Sequence, residues 1–366
     1  MLYFDNAATM QPHYKALEVY KRTAEEVFGN PSSLHTLGVK AEQVINESRK
    51  VLAKELSCDP DNIIFTSGAT ESNNLGLFSS ASAYGRNGSR IVTTSVEHPS
   101  VAEPLKYLST KGFEVVYIKP DRNGEINPQE FLEAVNDNTC LVSCMLVNNE
   151  TGYILPVRRI FTAIKHKNSR VVTHCDAVQG FMKIPVKMTD LQADLITVSA
   201  HKIGGVKGVG ALIKSKNVRI IPQIYGGGQE RNSRSGTENV PAIASFASAV
   251  EYTKKGEELI SFLRNNLNRE YITINSPENG SPYILNVSVE GVKSEVMLHF
   301  LESKEIYVSS GSACSKGKVS GVLREFGVKN PDFSIRISLS DESTKNDLRT
   351  LIKAIDEGYN SLLHMR

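Results

Sequence analysis

The sequence predicts an α/β protein built on a mostly parallel sheet with helices on both faces. From residue 63 to residue 198, short apolar runs bounded by turn residues alternate with longer segments that have helical patterning. The first pattern indicates buried strands, and regular alternation of the two is typical of parallel strands joined by crossover helices. Beyond residue 255 the pattern changes, and a smaller α+β domain is predicted there.

The elements are predicted in the following order. Residues 2–9 form a short strand and turn, a helix follows over 12–28, and residues 37–56 form an amphipathic helix with its apolar positions on one face. Strands are predicted over 63–66, 90–94, 114–118, 141–147, 171–174, 195–198, 211–213, 283–289, 306–309 and 335–339. Further helices are predicted over 101–110, 128–135, 157–167, 296–303 and 344–363, with one long helix or two over 241–267.

The length of the chain sets the domain organisation. Its 366 residues are too many for one small core and suggest about two or three domains. We expect residues 13–255 to form a large domain, and residues 1–12 together with residues 256–366 to form a small domain.

Composition excludes several classes of protein. Hydrophobic residues make up 40% of the chain and charged residues 22%, as in ordinary globular proteins. A formal net charge of +2 gives no reason to expect a direct nucleic-acid partner or a membrane surface. No apolar run approaches the ~20 residues of a membrane span, and the first residues lack a signal pattern, so we expect a cytoplasmic protein.

The five cysteines form no metal-binding pattern, and no metal site is predicted. Cys140, Cys144 and Cys175 lie in or beside apolar runs, where cysteine serves as a small buried hydrophobe. Cys314 differs, because it lies in a polar, glycine-containing segment with Lys316 close by in the sequence. Such a thiol is accessible and its thiolate is favoured by positive neighbours, although an incidental loop cysteine is the alternative.

Polar residues follow several of the predicted strands: Ser67, His98, Asn149, Asp176 and Lys202. In open parallel sheets, ligands bind at the carboxyl ends of the strands, so we expect these side chains to converge. The small residues from Ser67 onward open a helix and suit a phosphate, although an ordinary helix cap is the alternative.

Lys202 stands between a predicted strand and a glycine-rich run. A desolvated lysine is a nucleophilic amine that forms Schiff bases with carbonyl cofactors. A solvated surface lysine is the alternative, because most lysines are exposed.

The order of these motifs resembles that of fold-type I pyridoxal-phosphate enzymes of the class V aminotransferase group. With Cys314 and Arg336 it resembles specifically the cysteine desulfurases of the NifS/IscS type. The motifs that carry the resemblance are Asp5-Asn6-Ala7-Ala8-Thr9, Ser67-Gly68-Ala69-Thr70, Glu97-His98-Pro99, Asp176-x-x-Gln179, Ser199-x-His201-Lys202, the segment 309–318 and Arg336. The resemblance implies a large domain with a mostly parallel seven-stranded sheet, a small α+β domain that carries Cys314, and a homodimer.

The resemblance also implies pyridoxal 5'-phosphate as cofactor, held as a Schiff base by Lys202. Asp176 would pair with the ring nitrogen, Gln179 would donate to the ring oxygen, and His98 would stack on the ring as an acid–base group. Asn149 would lie near both cofactor and substrate. The phosphate would be bound by Ala69, Thr70, Ser199 and His201, with Thr237 reaching the phosphate site of the partner subunit.

The implied substrate is L-cysteine, with its carboxylate on Arg336 and with Asn149 beside it. Cys314, Lys202 and His98 would be the catalytic residues. Cys314 would take the sulfur as a persulfide, release alanine, and pass the sulfur to an acceptor protein, either an iron–sulfur scaffold or a protein of tRNA or DNA thiolation.

Three alternatives remain at the level of the sequence. The chain is a class V aminotransferase, or it is a selenocysteine lyase in which Cys314 is incidental, or it is a non-catalytic scaffold of the same fold. Single residues have structural alternatives too: a helix cap for Asp176, a structural histidine at His98 and an exposed strand arginine at Arg336.

Overall fold

The structure, a computed structural model, describes residues 1–86, 88–250, 255–310 and 320–363. Its strands are β1 Leu2–Tyr3, β2 Ile63–Thr66, β3 Arg90–Thr94, β4 Glu114–Ile118, β5 Thr139–Ser143, β6 Val172–Asp176, β7 Leu195–Ser199, β8 Gly210–Lys214, β9 Ile272–Ile274, β10 Ile284–Val289, β11 Ile306–Tyr307 and β12 Ser334–Ser338. Its helices are α1 Tyr14–Glu26, α2 Thr36–Leu56, α3 Ala69–Tyr84, α4 Pro99–Ser109, α5 Pro128–Ala134, α6 Val157–Lys167, α7 Met188–Leu191, α8 Gln229–Asn232, α9 Val240–Ala249, α10 Gly256–Asn266, α11 Ser294–Glu302, α12 Gly321–Glu325 and α13 Lys345–Leu363.

A seven-stranded sheet forms the centre of the molecule, in the order β2-β8-β7-β6-β5-β3-β4. The pairs β3–β4, β3–β5, β5–β6 and β6–β7 are parallel, whereas β8 is antiparallel to both β2 and β7. The predicted α/β fold with a mostly parallel sheet is therefore confirmed.

Both faces of this sheet are covered, as the unbroken burial of its central strands requires. All five residues of β5, β6 and β7 are buried. Successive residues of a strand point to opposite faces, and neighbours such as Leu195 and Ile196 accordingly belong to two different hydrophobic clusters. Helix α3 lies across β5 to β8 on one face, while α2, α6 and α9 contribute to the cluster on the other.

A second, antiparallel sheet has the order β12-β10-β9. Its core contains Phe4 together with apolar residues drawn from 259 to 355. Strand β1 pairs in parallel with β11, so that Leu2 lies opposite Ile306. The first residues thus pack with the C-terminal part of the chain, as the expected small domain requires; its boundaries remain a prediction.

Several strand bounds differ from the prediction, and two of these differences lie beside the cavity. β5 ends at Ser143, short of the predicted Val147. Beyond it, Cys144 N and Leu146 N still donate to His174 O and Asp176 O of β6, and residues 146–148 then pair with residues 153–155. Strand β6 continues to Asp176, beyond the predicted end at His174, because Asp176 still pairs with Thr197 of β7. No helix in the described part of the chain is both long and apolar enough to cross a membrane.

Candidate active site

A cavity of about 640 Å³ lies at the carboxyl ends of the sheet strands. It brings together ten of the residues that the sequence singled out: Ala69, Thr70, His98, Asn149, Asp176, Gln179, Ser199, His201, Lys202 and Arg336. They come from six separate segments of the chain, so the fold alone brings them together. Thr237 is exposed and does not line this cavity, and Cys314 lies outside the described residues.

One end of the cavity is suited to an anion. Helix α3 begins there behind Gly68, and no side chain in the described part of the chain caps its first turn. A Cβ at Gly210 would lie 2.8 Å from Gly68 Cα, so glycine at position 210 lets this helix start approach β8 closely. The hydroxyl of Ser199 is buried and has no hydrogen-bond partner among the described residues. Free backbone N–H groups at a helix start and an unused hydroxyl are the groups that bind phosphate.

His201 lies beside this anion site and is neutral at pH 7. Its Nδ1 lies 3.1 Å from Thr9 Oγ1. Burial lowers the pKa of His201 to about 4, and the charge of Lys202 lowers it further in the same direction. A neutral imidazole can accept a hydrogen bond at one nitrogen and donate one at the other, so His201 suits a role as hydrogen-bond donor to an anion.

Asp176 is the last residue of β6 and is buried at the cavity floor. Its Oδ1 accepts a hydrogen bond from Val178 N at 3.0 Å, and its Oδ2 accepts one from Asn73 Nδ2 at 2.8 Å. The carboxylate therefore caps the turn that follows β6, where the sequence offered a helix cap as the alternative. It also lines the cavity. Both donors hold the carboxylate in place, and a carboxylate in this position can pair with a cationic ring nitrogen.

His98 is held in one orientation by a hydrogen-bonded network. Its Nδ1 accepts from Ser100 N at 3.1 Å and lies 2.8 Å from Ser100 Oγ, which in turn accepts from Asn73 Nδ2 at 2.8 Å. Because a backbone N–H can only donate, Nδ1 is an acceptor, and a neutral His98 carries its proton on Nε2. Burial lowers the pKa of His98, Asp176 opposes the shift, and Lys202 adds to it. His98 thus has both a structural and a potential catalytic role.

Asn73 and Ser100 were not predicted as site residues. Asn73 donates to both Ser100 Oγ and Asp176 Oδ2 and so connects the two groups that face the cavity floor. Asn73 follows the small residues that open α3, and Ser100 lies two positions after His98. A polar residue one turn into a helix that starts at a ligand site was the available signal for Asn73.

Lys202 lies in the short turn that follows β7 and lines the cavity. Its Nζ donates to the backbone carbonyls of Ala7 at 2.6 Å and Ala8 at 2.8 Å. The alternative of a solvated surface lysine is therefore wrong. The N-terminal segment supplies the acceptors that hold this amine inside the cavity.

Arg336 lies in the middle of β12 and is only 2% exposed. Its Nη1 donates to Asn149 O at 2.9 Å, and its Nη2 donates to Asp5 Oδ1 at 2.7 Å. The alternative of an exposed strand arginine is therefore wrong. A buried guanidinium at a cavity wall is the group that best recognises a planar carboxylate.

Comparison with known proteins identifies the family. Residues 2–351 match the model of the class-V aminotransferases. The chain belongs to that family. Cysteine desulfurase IscS of Dictyoglomus turgidum is 38% identical over 370 residues, which cover 97% of this chain and 93% of the relative.

Solved structures of the same family have the same fold. A NifS-like protein superposes with a TM-score of 0.92 at 38% identity, over 97% of this chain and 98% of the other. A structure described as SspA in complex with cysteine has a TM-score of 0.84 at 32% identity, over 93% of this chain and 99% of the other. Within the class-V aminotransferases, this chain therefore groups with the NifS/IscS-type cysteine desulfurases.

Enzymes of the class-V and cysteine desulfurase group depend on pyridoxal phosphate, and the residues of this cavity fit that cofactor. Lys202 supplies an amine and Asp176 a carboxylate at the cavity floor. The unpartnered Ser199 hydroxyl and the uncapped start of α3 supply an anion site.

Proposed function

We propose that this chain is a cysteine desulfurase that removes sulfur from L-cysteine and carries it as a persulfide on Cys314. The observation that carries the proposal is a single cavity in which an amine, a carboxylate and a buried guanidinium, those of Lys202, Asp176 and Arg336, meet. The IscS relative, a cysteine desulfurase by name, and the SspA structure, described as a complex with cysteine, support the same substrate.

Lys202 would hold pyridoxal 5'-phosphate as a Schiff base, with Asp176 at the ring nitrogen, Gln179 at the ring oxygen and His98 over the ring. The phosphate would bind at the first turn of α3 and beside β7, through Ala69, Thr70, Ser199 and His201. When bound, the cofactor withdraws electrons from the substrate Cα and so makes its hydrogen acidic.

Lys202 and His98 would transfer protons during the reaction. Lys202 Nζ lies beside the Ala7 and Ala8 carbonyls, and as a free amine it would take the proton from the substrate Cα. His98 carries its transferable proton on Nε2, because its Nδ1 accepts from Ser100 N. Arg336 would orient the substrate carboxylate, with Asn149 beside it.

The sulfur step balances without an external oxidant or reductant. The Cys314 thiolate attacks the substrate sulfur, a new S–S bond forms, and the substrate Cβ–S bond breaks with its electron pair staying on carbon. Protonation of that carbon gives alanine, and the enzyme retains a persulfide. An acceptor protein, either an iron–sulfur scaffold or a protein of tRNA or DNA thiolation, would then take the sulfur.

We also propose that the protein is a homodimer. Thr237 is exposed and lies away from the cavity of its own chain, as expected of a residue that reaches the phosphate site of the partner subunit. Several large apolar side chains are also exposed, among them Tyr14, Leu17, Phe28, Leu34 and Tyr225. Exposed apolar residues in such numbers favour a surface that is covered by another protein chain.

The purified protein, loaded with pyridoxal phosphate, should convert L-cysteine into equal amounts of alanine and sulfide in the presence of a reductant. Without reductant, the peptide that contains Cys314 should gain the mass of one sulfur atom. Consumption of an added keto acid would identify an aminotransferase instead, and turnover of selenocysteine alone would identify a selenocysteine lyase. A protein that binds no pyridoxal phosphate would be a scaffold.

Replacing Arg336 with lysine should lower kcat/KM for L-cysteine by about a hundredfold, because two charge-assisted hydrogen bonds to the carboxylate contribute on the order of 1.5–3 kcal/mol each and lysine retains at most one. Steady-state kinetics with L-cysteine and with cysteamine, which lacks the carboxylate, would measure this. Cysteamine turnover should be low and equal in both proteins. An equal loss for both substrates would show structural damage and contradict the proposed role.

A further inference from the structure

A second lysine, Lys183, lies behind Gln179, one of the residues that line the same cavity, and has no role in the proposed reaction. It is placed by the compact turn after β6, in which Lys183 N donates to Gly180 O at 2.9 Å. Its Nζ donates to Gln179 Oε1 at 3.0 Å. Gln179 is buried and lines the cavity, so Lys183 contacts the cavity wall from behind.

The contacts of Gln179 determine which way its amide points. In its protonated form Lys183 Nζ is a donor only, so the atom of Gln179 that it contacts is the oxygen. The other end of the amide lies 2.8 Å from Ala7 O, which is an acceptor only, so that end is the nitrogen. An amide nitrogen carries two hydrogens, and one is used on Ala7 O. The second remains for a group in the cavity.

Lys183 is also connected to Lys202, through Gln179, which shares an acceptor with Lys202. Ala7 O accepts from Gln179 Nε2 at 2.8 Å and from Lys202 Nζ at 2.6 Å. Without Lys183, the Gln179 amide could rotate and present its oxygen to the cavity. That oxygen would repel an anionic oxygen of a bound cofactor, and the hydrogen bond from Gln179 Nε2 to Ala7 O would be lost.

The surroundings of Lys183 are mostly cationic. Lys202 and Arg336 act on Lys183 as positive charges, Asp341 is the anion that opposes them, and Lys183 in turn acts on His201. Burial lowers the pKa of Lys183 to about 7, and Lys202 and Arg336 lower it in the same direction. In its protonated form, Lys183 disfavours a further proton on a neighbouring nitrogen.

We propose that Lys183 is a positioning residue, which holds Gln179 with its N–H toward the ring oxygen of the cofactor and disfavours protonation of the Lys202 nitrogen. The inference rests on the proposed function, because it assumes that pyridoxal phosphate is bound at Lys202. Both effects weaken proton binding by the Schiff base nitrogen. A donor to the ring oxygen stabilises its anionic form, and a neighbouring cation destabilises a proton on the Schiff base nitrogen.

The test is the absorbance of the loaded enzyme as a function of pH, which reports protonation of the Schiff base nitrogen. In Lys183→Met this nitrogen should bind its proton about tenfold more tightly, so the midpoint should lie about one pH unit higher. Lys183→Arg retains charge and donor, and its midpoint should stay near that of the native enzyme. The matched control is Lys187→Met, because Lys187 is an exposed lysine four positions further along.

A double-mutant cycle shows whether Lys183 acts through Gln179. The midpoint shifts of Lys183→Met and Gln179→Leu should be clearly non-additive, since the first residue orients the second. Fully additive shifts, or a Lys183→Met midpoint equal to the native one, would overturn the inference. Lys183→Gln replaces Lys183→Met if the latter does not fold, with the same outcomes. Failure of the native protein to bind pyridoxal phosphate would instead overturn the proposed function.

Discussion

Lys202→Ala is expected to lower alanine production from L-cysteine by about a thousandfold, which lies within the range that a positioned acid–base group contributes. The variant loses the amine that attaches the cofactor and takes the substrate proton. Lys202 Nζ donates to the backbone carbonyls of Ala7 and Ala8. These acceptors belong to the main chain, so the substitution removes the amine and no side-chain partner. The loss should therefore be chemical, with little change of the fold.

Alanine release can be measured by chromatography, and covalent attachment can be measured by mass after borohydride reduction. The native protein should retain the mass of the cofactor on the peptide that contains Lys202, and Lys202→Ala should retain none. Lys216→Ala is the control, because Lys216 is exposed and does not line the cavity. Reduced cofactor on another lysine of the native protein would contradict the assignment.

The sequence predicted best those features that are encoded over short distances. Strands β2, β3 and β4 were predicted at their observed bounds, because each is a short apolar run between turn residues. The observed end of β5 differs from the predicted one. Beyond Ser143 the chain still donates from Cys144 N and Leu146 N to β6 and then pairs with residues 153–155, and an apolar run does not show where a strand changes its partner.

The same distinction between local features and long-range contacts applies to the candidate site. Residues that directly follow strands, such as Asp176 and Lys202, could be placed at the sheet edge from the parallel topology alone. Contacts between distant parts of the chain could not be predicted. The ion pair of Arg336 with Asp5 joins residues 331 positions apart, and nothing near either residue indicates the other.

The N-terminal segment shows why such contacts matter. It supplies Asp5 to Arg336 and the Ala7 carbonyl to both Lys202 and Gln179. These acceptors are two backbone carbonyls and one carboxylate, and the motif Asp5-Asn6-Ala7-Ala8-Thr9 carries the family resemblance without indicating these contacts. The strand pairing of β1 with β11 brings them to the cavity, and that pairing follows from the tertiary fold.

Cys314→Ser is expected to abolish persulfide formation and to lower alanine production by about a thousandfold or more, while cofactor binding and its absorbance stay unchanged. Serine has the size of cysteine, but its hydroxyl is a weak nucleophile without an adjacent general base, whereas a thiol is a few per cent thiolate at neutral pH. Proton transfer at the substrate Cα does not need this thiol, but without sulfur capture it yields no alanine.

The other four cysteines make this variant informative. Burial raises the pKa of Cys58 and Cys140 to about 11, and burial raises the pKa of Cys144 and Cys175 as well. Their thiols are protonated at neutral pH, and a protonated thiol is a poor nucleophile. Cys58→Ser is the matched control, since Cys58 is the least buried of the four, and it should retain native activity. Alanine formation at the native rate in Cys314→Ser, or a persulfide found on Cys58, would contradict the assignment of Cys314.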